Sequence, residues 1–201
     1  MFYYISGTLA YKGADFAVID AGGVGYQIYV SASTLDSLGA EGSSAKLYTY
    51  LNFKSASDIM DLYGFATPEE KALFEMLIGV NRVGAKLAMS VLSAVSPSKF
   101  ALCVVTNDAK YLAEKTSGLG LKGAQRLILE LKDKFKGVEM DDFSGEDFAD
   151  VPMTSGDTEG DALAALVVLG YKPQEARQAI AGLTGSVEEI VKRGLQNLMK
   201  Q

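Results

Sequence analysis

The chain has 201 residues, of which 48% are hydrophobic, and carries a formal net charge of −6 with one cysteine and no histidine. This length allows one large domain or two to three small ones, and the hydrophobic content excludes wholesale disorder. The lack of histidine excludes Ser-His-Asp and Cys-His catalysis and histidine-ligated metal sites, and a single cysteine excludes an internal disulfide.

The start of the chain and its apolar runs predict no targeting or membrane segment. Residues 1–5 lack a basic region and a small-residue cleavage site, and no apolar run reaches the ~20 residues that span a bilayer. Cys103 lies in the apolar run 100–105, where a buried structural thiol is expected. We therefore expect a cytoplasmic protein with no contact to a membrane.

Residues 1–66 predict a small β-barrel. Five short segments rich in aromatic and β-branched residues are separated by turn signals: 3–5, 7–11, 16–21, 24–30 and 47–53. A brief helix over 33–38 is predicted before the fifth strand, which is typical of an OB-type barrel. The glycine-rich stretch 22–26 joins strand to strand, so it predicts a hairpin turn and not a dinucleotide-binding loop. Asp58 and Asp61 indicate a solvated hairpin tip.

Residues 67–137 predict a helical domain of about five short helices. Thr67-Pro68 and Ser96-Pro97 are typical helix starts, and Asp108 caps a third helix. Within this domain one pattern occurs twice, around Gly84 and around Gly120, 36 positions apart. Each copy has an apolar residue before the glycine, a lysine two positions after it and an apolar helical run beyond. This is a helix-hairpin-helix pattern.

Such a turn is suited to phosphate. The first N–H groups of a helix lack intrahelical acceptors, and the helix dipole adds partial positive charge at the same end. Glycine removes the Cβ that would hold a nucleic-acid backbone away, and the lysine adds a cation. One copy alone is better explained as a helical hairpin that only packs, whereas two copies favour DNA binding.

The distribution of charge agrees with this interpretation. Residues 67–136 carry 11 basic and 7 acidic side chains, although the whole chain is acidic. Residues 138–158 are rich in acids, and we interpret them as a disordered acidic linker. Residues 159–201 predict three helices, over 162–169, 173–183 and 187–199, in a small module that leaves a partner surface plausible. Gly170 is expected to cap the first of these helices or to lie in an exposed contact.

In this order the barrel, paired hairpins, acidic linker and helical tail resemble the RuvA family of Holliday-junction-binding subunits, over essentially the full length. The resemblance implies an α+β, multidomain fold: an N-terminal OB-type barrel (1–66), a central tandem helix-hairpin-helix domain (67–137), a linker (138–158) and a C-terminal three-helix, UBA-like domain (159–201). The stretches that carry it are 22–26, 62–65, 83–88, 118–127, 131–133 and 165–176.

The resemblance also implies function. It implies a non-catalytic homotetramer, or a pair of facing tetramers, that holds four-way junction DNA open without a cofactor. The hexameric motor RuvB is the implied partner, in recombination and DNA repair, and the RuvC resolvase is a further candidate partner. The implied site residues are Val83, Gly84, Lys86, Gly118, Gly120, Lys122 and Arg126 for DNA, Asp58 for an acidic pin, and Leu169, Gly170 and Tyr171 for the motor.

Three departures from the family pattern affect these expectations. Arg82 and Ala85 replace a glycine and a proline in the first hairpin, and Ser117 replaces a proline in the second, which is expected to loosen both turns. Ser57 replaces one of two adjacent acids at the pin, which is expected to weaken its repulsion of DNA strands.

Two other classes of function remain open at this point. A helix-hairpin-helix glycosylase or lyase would need a catalytic aspartate after the hairpin, and Asp133 lies at roughly that position. A protein-interaction adaptor would act through residues 159–201, with DNA binding incidental.

Overall fold

The structure is a computed structural model that describes residues 2–54, 59–138 and 158–198. It divides into two compact units, residues 1–94 and residues 95–201. Asp58 and the predicted linker residues 139–157 lie outside the described residues.

The first unit begins with a closed five-stranded barrel. Its strands are β1 (Tyr4–Lys12), β2 (Phe16–Ala21), β3 (Val24–Val30), β4 (Ser44–Lys54) and β5 (Ile59–Phe65), with helix α1 (Ala32–Ser37) between β3 and β4. The order around the barrel is β1-β2-β3-β5-β4, and every pairing is antiparallel except that of β3 with β5. The predicted OB-type barrel is therefore confirmed.

Alternation along the strands fills the barrel. Side chains two positions apart point to the same face of a strand, and the inward set is apolar. These residues form one buried cluster: Ile5, Leu9, Ala17, Ile19, Ile28, Val30, Ala45 and Leu47. The hairpin predicted at Gly22-Gly23 is also confirmed, since both glycines have positive φ (69° and 86°) between the paired strands β2 and β3.

Two predicted strand assignments were wrong. The segments 3–5 and 7–11 are one strand, β1, whose first half pairs with β4 and whose second half pairs with β2. The predicted break fell near Gly7, but a Cβ there would lie 2.0 Å from the Asp20 carbonyl oxygen, so glycine permits the close approach at which the barrel closes. The fifth strand, β5, was missed because its pairing with β4 and β3 is not encoded locally.

Two helices complete the first unit. Helix α2 (Pro68–Ile78) begins at Thr67, whose side chain accepts a hydrogen bond from the Glu70 N–H. The Phe74 ring fixes α2 to the barrel, with ring centroids 5.0 Å from Phe65 and 5.1 Å from Tyr63. Helix α3 (Ala85–Ala94) packs on α1 and α2, and its Ser93 hydroxyl oxygen accepts a 3.0 Å hydrogen bond from the Ala32 N–H. The first hairpin is thus supported by the barrel.

The second unit is helical. It contains α4 (Pro97–Val105), α5 (Ala109–Lys115), α6 (Leu121–Val138), α7 (Thr158–Val168), α8 (Pro173–Ile180) and α9 (Val187–Leu198). The predicted caps are confirmed, since the side chains of Ser96 and Asp108 accept from the N–H groups of Lys99 and Tyr111. The three C-terminal helices are confirmed within a few residues of their predicted ends; Met199 lies outside the described residues. No single helix in the described ranges is long and apolar enough to cross a membrane, although the bent pair α3 and α4 together meets that test by length and composition.

Candidate nucleic-acid interface

The first hairpin turn joins α2 to α3 through residues 79–84. The Val83 N–H donates to the Val80 carbonyl oxygen at 3.1 Å, and the Ala88 N–H donates to the Gly84 carbonyl oxygen at 3.0 Å. Because its carbonyl accepts the first bond of α3, Gly84 occupies the N-cap position of that helix.

The second turn, between α5 and α6, repeats this pattern. The Leu119 N–H donates to the Thr116 carbonyl oxygen at 3.2 Å, and the Ala124 N–H donates to the Gly120 carbonyl oxygen at 2.9 Å. Each bond has its counterpart 36 positions earlier. The repeat predicted from the sequence is therefore a repeat of local geometry.

The two N-cap glycines are exposed and have open space where a side chain would be. A Cβ built on Gly84 or on Gly120 meets no protein atom within 4 Å, and neither residue has a positive φ. The described fold therefore needs glycine at neither position for its conformation or its packing. The missing Cβ leaves room for an external group to approach the helix N-terminus.

The free hydrogen-bonding capacity of these turns suits an anion. The first N–H groups of α3 and α6 have no intrahelical acceptor, and both helix dipoles point their positive ends at the turns. The Val83 N–H is already used by Val80, so the first turn offers the amides that follow it, beginning at Gly84. Lys86 and Lys122, two residues after the respective glycines, are both exposed and add a positive charge to each site.

Arg82 does not abolish the first turn. It has φ 67°, and Gly118, at the corresponding place in the second turn, has φ 83°. Arg82 thus adopts the left-handed conformation that glycine adopts without penalty, at a cost of roughly 1–2 kcal/mol. The departure from the family pattern keeps the turn, adds an exposed cation and lowers local stability.

Arg126 is held by an ion pair. Its Nε lies 2.6 Å from the Glu130 Oε1, one helical turn further along α6, with the two side chains 42% and 27% exposed. A phosphate bound by Arg126 must compete with this carboxylate. The sequence analysis missed Glu130, although the i, i+4 spacing could have identified it.

Thr116, in the second turn, is a polar residue in an apolar place. It is 3% exposed, and its hydroxyl has no hydrogen-bond partner within the described part of the chain. The corresponding residue of the first turn is Val80, also 3% exposed. Sequence alone gave no signal that this hydroxyl is buried.

The residues assigned to the motor and the pin have different settings. Leu169 is buried and Tyr171 half-buried, and Gly170, with φ 91°, ends α7 as the C-cap glycine. Asp61 lies in β5 and accepts a hydrogen bond from the Tyr63 hydroxyl. Burial, with a smaller contribution from Asp61, raises the pKa of Tyr63 to about 12.

The described residues contain no group of three or more histidine, cysteine, aspartate or glutamate side chains that could hold a metal ion. The backbone of Asp133, the aspartate considered for a glycosylase, lies in α6, and its side chain is not described. A closed five-stranded barrel, two open glycine turns of the same geometry and a helical C-terminal module define the class of multidomain helix-hairpin-helix proteins.

Comparisons with known proteins identify the family within that class. Three family models match: "RuvA N terminal domain" over residues 1–64, "SAM-like Helix-hairpin-helix tandem" over 74–133, and "RuvA, C-terminal domain" over 157–199. A relative from Acetivibrio thermocellus is 45% identical over 204 residues, covering 100% of both chains. Relatives from Ruminiclostridium cellulolyticum (43% identical; 98% of this chain and 100% of the relative) and Symbiobacterium thermophilum (40%; 100% of both) are similar along their whole length. All three are named Holliday junction branch migration complex subunit RuvA, and this chain belongs to the RuvA family.

Proposed function

We propose that this chain is the junction-binding subunit of a branch-migration complex. It binds four-way junction DNA and couples it to the RuvB motor in recombination and repair. The observation that carries the proposal is the pair of turns at Gly84 and Gly120, which are exposed, open at the missing Cβ and identical in hydrogen bonding. Membership of a family whose named members are RuvA subunits supports it.

The mode of binding follows from the chemistry of the turns. Backbone amides and lysine side chains contact phosphates, which fixes the position of a duplex without reading its sequence. The DNA contacts we propose are those of Gly84 and Lys86 in the first turn and of Gly118, Gly120, Lys122 and Arg126 in the second, with Val83 shaping the first. Selectivity then depends on the shape of the DNA, which is what a four-way junction offers.

Assembly accounts for the shape. A homotetramer supplies two turns for each arm of a four-way junction, and a facing pair of tetramers encloses the DNA. Asp58 forms the acidic pin at the centre, and its repulsion of the strands is weaker than that of a pair of acids because Ser57 is neutral.

We assign the remaining parts of the chain accordingly. Residues 1–66 form the barrel domain, 67–137 the DNA-binding domain, 138–158 an acidic linker and 159–201 the motor-binding domain, which includes Leu169, Gly170 and Tyr171. The subunit is non-catalytic and cytoplasmic, and RuvC is a candidate partner on the same junction. No feature of the described residues favours a glycosylase, a lyase or an isolated adaptor.

Binding to matched DNA substrates tests the proposal. In a mobility-shift titration over several salt concentrations, we expect much tighter binding to a four-way junction than to linear duplex of equal length. Replacing Lys122 and Arg126 by alanine should weaken junction binding and flatten the slope of log affinity against log salt by about 0.9 for each phosphate that the variant no longer neutralises.

Lys110→Ala is the matched control for charge. Lys110 is an exposed lysine on α5, paired with Glu114 at 3.8 Å and outside both turns. Its replacement should change junction affinity far less than replacement of Lys122. Equal affinity of the native chain for junction and duplex would refute the proposed function.

A further inference from the structure

Helix α4 is buried on more than one side. Its buried residues are Ser98, Phe100, Ala101, Cys103 and Val104. At 100° per residue these positions cover well over half of the helix circumference, whereas a surface helix packed on one core buries a stripe only somewhat wider than 100°. Two sets of neighbours supply this burial: α5 and α6 of the hairpin region, and α7 and α9 of the C-terminal module.

Helix α7 shows the same double burial. Its buried residues are Ala162, Leu163, Ala165, Leu166 and Val168. Packing on α8 and α9 requires one face of α7, and α4 covers much of the remainder. The C-terminal module, residues 158–198, is therefore docked on α4 through α7 and α9.

Docking has a consequence for the residues assigned to the motor. Leu169, directly after α7, is 6% exposed, and Tyr171 is half-buried. A side chain this well covered offers almost no contact area to another protein. Binding through these residues requires part of the module's surroundings to move.

We propose that the C-terminal module alternates between a state docked on α4 and a released state, and that the motor binds the released state. The α4 contact is then autoinhibitory, because docking and motor binding compete for the same module. This inference rests on the proposed function, which supplies the motor as partner. The segment 139–157, which joins α6 to α7, spans roughly 60 Å when extended, so the covalent connection permits release.

Cys103 is a natural reporter of the contact. It is the chain's single cysteine, is 2% exposed and lies on α4, with Glu188 of α9 among the charges that act on it. Burial, followed by the negative charge of Asp108, raises the pKa of the thiol to about 11. The docked thiol is thus both covered and protonated at neutral pH, and it should react slowly.

Thiol labelling of the native full-length chain tests the proposal. With 5,5′-dithiobis(2-nitrobenzoate) in excess at pH 7.5, saturating RuvB should accelerate modification of Cys103 at least tenfold. Acceleration at Cys103 supports release. RuvB that binds, as judged by sedimentation, without accelerating the labelling would overturn the inference and leave the proposed function standing. RuvB that does not bind would overturn both.

A second cysteine position provides the control. Leu112 on α5 is fully buried in the hairpin region, so Leu112→Cys in a Cys103→Ala background reports opening of that region alone. Its labelling rate should be the same with and without RuvB. Equal acceleration at both positions would mean general loosening of the unit, and it would overturn the inference.

A variant that disfavours docking gives an independent test. Cys103→Asp places a carboxylate in the contact on the side of Glu188, whereas Cys103→Ala leaves the contact apolar. If the released state is at most a tenth of the population, Cys103→Asp should raise the apparent affinity for RuvB by up to about tenfold, with helix content and junction binding unchanged. Unchanged or weaker affinity in a folded Cys103→Asp variant would overturn the inference, and the labelling of the native chain decides the matter if that variant does not fold.

Discussion

The fate of individual side chains near the two turns separates stability from function. Arg126 and Glu130 are paired at 2.6 Å on an exposed face of α6, and the pair holds a DNA-binding cation away from DNA. Such surface pairs contribute little to stability, so the carboxylate's main effect is on binding.

Glu130→Gln should therefore increase junction affinity. The change frees Arg126 and removes a negative charge beside the phosphate path, and an effect of about two- to fivefold corresponds to the strength of an exposed pair. Mobility-shift titration at fixed salt measures it. Glu114→Gln, which breaks the exposed pair with Lys110, is the control for the charge change and should have less effect. A decrease in affinity for Glu130→Gln would show that Glu130 positions Arg126 for DNA.

Thr116 offers the opposite case, a change in stability without a change in binding. Its buried hydroxyl has no partner among the residues the structure describes, and valine has nearly the same shape. Thr116→Val should raise the free energy of unfolding by about 1 kcal/mol, because an unsatisfied buried polar group is removed.

Chemical denaturation checks this, with junction affinity expected to stay constant. Thr116→Ser, which keeps the hydroxyl and removes the methyl group, should destabilise the chain. If Thr116→Val is the less stable protein, the hydroxyl has a partner and the explanation fails.

At the scale of elements, local patterns were predicted well and non-local pairings were not. The caps of α2, α4 and α5 and the two hairpin turns depend on residues within four positions of each other, which sequence displays directly. Strand β5 depends on partners in β3 and β4, and the single β1 depends on where the barrel closes, so both were missed or divided.

Helix α9 shows how a local signal becomes a dependence on pH. Ser186 and Glu189 form the predicted capping box: the Ser186 N–H donates to the Glu189 Oε2 at 2.9 Å, and the Glu189 N–H donates to the Ser186 Oγ at 3.3 Å. The hydrogen bond from the Ser186 backbone, followed by that with its side chain, lowers the pKa of Glu189. A lowered folded pKa means that the carboxylate stabilises α9 above its unfolded pKa and that this contribution is lost as pH falls through the folded pKa.

Amide exchange in α9 should therefore become less protected on acidification below about pH 4.3, the ordinary value for glutamate. In Glu189→Gln the protection should be lower at neutral pH and should depend less on pH across the same range. An identical pH profile in the two proteins would contradict the role of the cap.

At the scale of the whole molecule, an acidic chain restricts its positive charge to the segment that holds both turns. The class of fold and the family could be predicted from the sequence, since the repeat around Gly84 and Gly120 and the order of domains are visible in it. The tolerance of Arg82 in a left-handed turn and the burial of Leu169 could not, because each depends on packing and backbone geometry that only the folded chain has.

The central claim is that the exposed amides at the two glycine turns bind the phosphates of branched DNA. Replacing Gly84 and Gly120 together by serine tests it most directly, because serine caps a helix N-terminus better than glycine and its oxygen occupies the same amides. The added Cβ atoms meet no protein within 4 Å, so the fold should be retained and stability unchanged or slightly higher.

Gly25→Ala, a comparable small addition at an exposed glycine of β3 without positive φ, is the control and should bind junction DNA normally. The measurement is the dissociation constant for a four-way junction at fixed salt, with thermal unfolding run on the same samples. The account predicts that the double serine variant binds the junction at least tenfold more weakly while its melting temperature does not fall. A folded double variant that binds the junction as tightly as the native chain would contradict it.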